Sequence, residues 1–161
     1  MKNRKLLLSS FLFLLTSCTI KIDRVNPAAT TESDMMDDII KKIEKKDTQG
    51  IYDLFSDSVK EEIPDLKDQI ESIQGYYKGE CKNRTSVSTQ TSGDYNYGTM
   101  KQKIVYTKAS IFTTESRYHL AFQWYQKDKD NPKNVGLHFI YFEEFLGWEA
   151  SIAMPTMTES H

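Results

Sequence analysis

The chain has 161 residues, with 21 Lys and Arg against 23 Asp and Glu, for a net charge of −2. That balance, with no basic run in the body of the chain, excludes a nucleic-acid binder, which needs a basic patch. The three histidines, His119, His138 and His161, are dispersed and have no Cys or carboxylate at ligand spacing, so no metal or other cofactor is expected.

The chain opens with Lys2, Arg4 and Lys5, followed by an apolar run, Leu6–Leu15, broken only by Ser9 and Ser10. The run is too short to cross a hydrocarbon core, which takes about 20 residues as helix. It also lacks the polar face of a surface helix. A basic start, a short apolar stretch and small residues after it make a secretory signal peptide. Leu15-Thr16-Ser17-Cys18 stands where the cleavage site belongs. It resembles the lipobox of bacterial lipoproteins. The resemblance implies cleavage after residue 17 and a diacylglyceryl group on the Cys18 thiol, with acyl chains such as palmitate holding the protein at the extracytoplasmic face of the cell membrane. Each buried methylene contributes about 0.8 kcal/mol, and two chains anchor where one holds weakly.

Removing residues 1–17 takes away three bases and no acid, leaving 144 residues with 18 bases against 23 acids, a net charge of −5. Cys81 is then the only thiol free of lipid. Nothing in Lys78-Gly79-Glu80-Cys81-Lys82 supports catalysis, and it reads as a small buried side chain at the start of a strand. Residues 18–32 read as a lipidated flexible tether, with Pro27, Ala28, Ala29, Thr30 and Thr31 and few large apolar groups.

Residues 33–154 form the expected domain, followed by a tail over 155–161. Ser33 or Asp34 caps a first helix, on which Met36, Ile39, Ile40 and Ile43 recur at helical spacing. Asp47-Thr48 opens a short second helix with Ile51, Leu54 and Phe55 on one face, and Ser58–Glu61 has capping-box spacing. After Pro64, Asp65 caps a third helix striped by Leu66, Ile70, Ile73 and Tyr77. The period then changes to two. Residues 81–91 read as a polar edge strand, Ser92-Gly93-Asp94 and Tyr97-Gly98 as turns, and Met100–Thr113 as a long strand. Arg117–Lys127 is a third strand, with Tyr118, Leu120, Phe122 and Trp124 on one face. Asp130–Asn134 is a turn. Val135–Phe145 is a fourth strand, with Leu137, Phe139 and Tyr141 together, and Trp148–Ala153 a short fifth.

Helices first and an antiparallel meander second predict an α+β domain, with N-terminal helices packed on a curved antiparallel sheet of four to five strands. This order resembles the cystatin-like, or nuclear transport factor two-like, cone. More narrowly it resembles an uncharacterised bacterial lipoprotein family with that fold. The residues carrying the likeness are Ile51–Ser56, Asp68-Gln69-Ile70, Tyr76–Glu80, Tyr118–Phe122 and Asp130–Leu137. No activity comes with it.

The chemistry is sparse. Glu143 and Glu144 are neighbours on a strand and point to opposite faces, so they make no catalytic dyad, and no catalytic residue is assigned. The aromatic content is fuller: 19 Phe, Trp and Tyr, nine of them Tyr. Tyr pairs an apolar body with a polar tip, which suits pockets and wet interfaces. Two function classes follow. One is a non-enzymatic binding domain whose sheet face meets a protein partner or a second copy of the chain. The other is a small-molecule binder or enzyme with an aromatic pocket inside the cone, formed by Tyr106, Tyr118, Trp124 and Tyr141.

Overall fold

The computed structural model describes residues 31–144 and a strand over 148–152. The expected signal peptide, Cys18, nearly all of the expected tether and the tail lie outside the described residues.

Helix α1, Glu32–Glu44, starts two to three residues earlier than predicted because Thr31, not Ser33 or Asp34, caps it. Thr31 Oγ1 accepts from Asp34 N, and Asp34 Oδ2 accepts from Thr31 N in return. This satisfies two orphan donors at once. Its buried stripe is Met35, Met36, Ile39, Ile40 and Ile43. Helix α2, Thr48–Leu54, is capped by Asp47. The segment after it forms a separate helix α3, Asp57–Glu62, capped by Ser56 rather than Ser58. Helix α4, Leu66–Tyr76, buries Leu66, Ile70 and Ile73. Asp65 precedes it without the expected cap, since its carboxylate accepts from the Gln69 side chain. Four helices, not three, therefore precede the sheet.

Six antiparallel strands follow: β1 Cys81–Arg84, β2 Ser88–Asn96, β3 Thr99–Thr113, β4 Arg117–Asp128, β5 Gly136–Glu144 and β6 Trp148–Ile152. They fill five positions in the order β1-β3-β4-β5-β6, because β1 and β2 both pair with β3, one beyond the other. The predicted edge strand is thus divided at residues 85–87. Ser92-Gly93-Asp94, predicted as a turn, lies inside β2. The chain reverses at Tyr97-Gly98, the other predicted turn, with φ of 47° and 76°, the two positive values of a type I′ hairpin turn.

The helices cover one face of the sheet. Val105, Ile111, Tyr118, Leu120, Phe122, Trp124, Leu137, Ile140 and Phe142 point at them and are buried. Alternation along β5 breaks once. The β4–β5 register shifts between Gln123, opposite Phe139, and Trp124, opposite Leu137. His138 is the extra residue of this bulge. Leu137 and Ile140 therefore both face the helices, whereas Phe139 and Tyr141 face away. The three-residue face predicted for this strand is split.

Candidate functional site: a groove on the uncovered sheet face

The face turned away from the helices carries side chains in cross-strand rows. Ser110, His119 and Glu143 stand opposite one another on β3, β4 and β5. Lys108, Ala121 and Tyr141 form the next row, and Tyr106, Gln123 and Phe139 the one after. Ala121 is the smallest side chain at the centre of this grid. Small Ser110 lies diagonal to it, and larger groups surround both. The outcome is a groove of about 380 Å³ bounded by Tyr106, Lys108, Ser110, His119 and Tyr141. The connection between β1 and β2 closes one side with Thr85 and Ser86, joined by Ser88 at the start of β2.

The polar groups are ordered by the strands beneath them. Ser110 Oγ lies 3.1 Å from His119 Nδ1. Ser110 N donates to Thr85 Oγ1 at 3.0 Å, and Thr85 N donates to the Ser110 carbonyl at 2.9 Å. These bonds lash the β1–β2 connection to the groove wall. Tyr106 packs at 6.1 Å against Phe139. Lys108 is exposed and makes no ion pair among the described residues, unlike Lys42, Lys82, Arg84, Lys101 and Lys133.

Of the four aromatic residues expected to form one pocket, the fold brings Tyr106 and Tyr141 to this groove and places the other two on the opposite face. Tyr118 is fully buried, packed on Tyr77 at 5.3 Å and on Phe142 at 4.6 Å, with those two rings 5.9 Å from each other. Its hydroxyl accepts from Lys78 N at 2.9 Å and donates to the Tyr76 carbonyl at 3.2 Å. Burial pushes that phenol up, so it stays protonated as a fastener between α4 and the sheet. Trp124 is 3% exposed, and its Nε1, like Thr107 Oγ1, has no hydrogen-bond partner among the described residues. The split follows from the pleat: β4 sends even-numbered residues inward from 118 to 124, while β3 sends Tyr106 outward.

Ser110, Lys108, Ala121 and the hydroxyls of Thr85, Ser86 and Ser88 were not among the expected site residues. They are common residue types, and only cross-strand register assembles them.

The other candidates are weaker. A cleft between α1 and β1 is lined by Asp37, Cys81 and Arg84. There the Arg84 guanidinium is already engaged by Asp37 and by Ser33 Oγ at 2.6 Å. Cys81 is half-buried rather than buried, and free of any disulfide. Burial, and then the charge of Glu44, push its thiol up, which disfavours the thiolate that a nucleophile requires. His138 stacks on Tyr125 at 4.0 Å and lies 2.8 Å from the Asn134 carbonyl, outside the groove. Among the described residues no cluster of His, Cys, Asp and Glu is arranged as metal ligands, and no helix is long and apolar enough to cross a membrane.

Residues 38–149 match the model of a family described as a domain of unknown function, DUF5104. The chain belongs to this family. No curated protein matches the chain. The DUF5104 match begins inside α1 and ends within β6, so every residue of the groove falls inside the domain.

Proposed function

We propose that this DUF5104 chain is a lipid-anchored extracytoplasmic binding protein, held to the membrane through Cys18, and that it binds its ligand in the groove on the uncovered sheet face. The observation that carries the binding half is the floor at Ala121. A small residue there, ringed by Tyr106, Lys108, His119 and Tyr141, leaves a concave, polar and aromatic space that the helical layer does not cover. Such a mixed lining is what ligand sites use.

The anchoring half is supported by the basic start, the apolar run and Leu15-Thr16-Ser17-Cys18. The succession of four helices and an antiparallel meander supports the cystatin-like, or nuclear transport factor two-like, cone as the fold class. The role is binding rather than catalysis, because Cys81 is held as the thiol and Glu143 and Glu144 fall on opposite faces. A contact with a protein partner or a second copy of the chain would use the same sheet face.

Two variants test the reading. Cys18→Ser should abolish incorporation of labelled fatty acid and release the protein from membranes or leave it as precursor. Ala121→Phe should fill the groove and abolish ligand binding while the fold persists, because the added ring points away from the core. Fatty-acid label retained on the Cys18→Ser protein refutes the anchor. Ligand still bound by Ala121→Phe refutes the groove.

A further inference from the structure

We infer that the groove selects an oxyanion, a carboxylate, sulfate or phosphate group on its ligand, and that it grips this group more tightly when His119 is protonated; the inference rests on the groove being the binding site. Acids outnumber bases in the chain, 23 to 21. Yet no acidic residue is found among the described residues that line the groove, which instead carry Lys108, His119 and a set of hydroxyls. Lys108 has no carboxylate partner among the described residues, so its charge is available to a ligand. Hydrogen bonds from charged donors to oxyanions are about twice as strong as neutral ones.

The Ser110–His119 contact supplies the dependence on protons. Protonated imidazole must donate from Nδ1, so Ser110 Oγ accepts and its own proton is left to point into the groove. When His119 is neutral with Nδ1 unprotonated, Ser110 spends that proton on the ring and turns only lone pairs toward the ligand. From that tautomer, one protonation adds a positive charge and frees a second donor. Among the described residues, the groups facing His119 include Ser110 and, diagonally, Lys108 on β3; Glu143 and, diagonally, Tyr141 on β5; and Thr85 and Ser86 from the β1–β2 connection, with Arg117 and Ala121 flanking it on β4. Glu143 lies outside the groove lining and stands across His119 from Ser110.

Sulfate is the first probe, because its charge does not change between pH 5.5 and 8, the span in which histidine ordinarily changes charge. Titration of the purified chain, followed by NMR, should shift the Lys108 and His119 signals saturably at pH 5.5 and bind about tenfold more weakly at pH 8. Lys108→Gln, on an exposed side chain, should weaken binding by a similar factor. His119→Gln should remove the pH dependence. Glycerol phosphate, compared with phosphatidylglycerol and phosphatidylcholine vesicles, separates the two sources. Lys108-dependent binding to the soluble phosphate alone assigns a free ligand, and Lys108-dependent binding to the anionic vesicles assigns a lipid headgroup. No saturable shift with sulfate at pH 5.5, or an affinity unchanged by pH or by Lys108→Gln, overturns the inference. An envelope-derived ligand that still binds the wild type but not Ala121→Phe would show in that case that the groove reading survives without it.

Discussion

Ser56 N donates a hydrogen bond to the Leu137 carbonyl at 3.0 Å, tying the junction of α2 and α3 to the start of β5. Phe55 and Leu137 pair as a parallel bridge at the same point. The contact needs glycine next door. A Cβ on Gly136 would stand 2.7 Å from Ser56 N, and Gly136 has φ of 132°, which L side chains rarely adopt. Gly136→Ala should therefore destabilise the domain by about 2–3 kcal/mol. Urea denaturation checks this; a midpoint equal to wild type would mean that the junction does not press on β5 as described.

Tyr118→Phe keeps the stack on Tyr77 and Phe142 but leaves Lys78 N and the Tyr76 carbonyl without their partner. The expected cost is about 1–2 kcal/mol. Amide exchange at Lys78 should accelerate more than exchange in the centre of β4, since the lost bond is the one that closes the end of α4.

Thr107→Val should act in the opposite direction. The Thr107 hydroxyl is fully buried without a hydrogen-bond partner among the described residues, opposite Phe122 on the helix-facing side. Replacing it with a methyl group of similar shape should raise stability by about 1 kcal/mol. Thermal unfolding measures this, and a lowered melting temperature would count against the packing described around Thr107.

Acid should weaken the fold in two steps. Burial pushes His138 below the usual imidazole range, against the pull of the Asn134 carbonyl and of Asp128. The unfolded chain therefore takes up this proton first, near pH 6.5. The stability held by neutral His138 is complete above that value and is lost as pH falls toward the folded value. Asp128 follows. Burial alone would push it up, but donors from Asn134, Asn131 and Gln102 outweigh burial and hold it below the usual carboxylate range. Its contribution is complete above about pH 3.9 and is lost as pH falls further. His138→Phe, which keeps a ring on Tyr125, should flatten the first step and leave the second. An unchanged first step in denaturant midpoints measured against pH would remove His138 from the account.

Much of the fold is legible in the sequence because it depends on local period. The stripe Met36, Ile39, Ile40, Ile43 makes α1, and the alternation from Tyr118 to Trp124 makes β4 and names its inward face correctly. What the sequence hides is non-local. The bulge at His138 turns Leu137 away from Phe139, and no residue type at that position announces it. Gly93 reads as a turn residue, yet lies within β2. The reversal falls at Tyr97-Gly98, the second of the two turn signals read in the sequence, where Tyr97 takes a positive φ. Likewise, the groove depends on register. Ser110 and His119 are nine residues apart on two strands, and Ala121 matters for the bulk it lacks between Lys108 and Tyr141.

Native mass spectrometry of the chain isolated gently from the cells that make it tests the binding claim most directly, with wild type and Ala121→Phe run side by side. The account predicts a ligand adduct on the wild type and none on Ala121→Phe, with the two proteins giving the same circular dichroism spectrum. The same adduct on both proteins, or no adduct on the wild type, would contradict it.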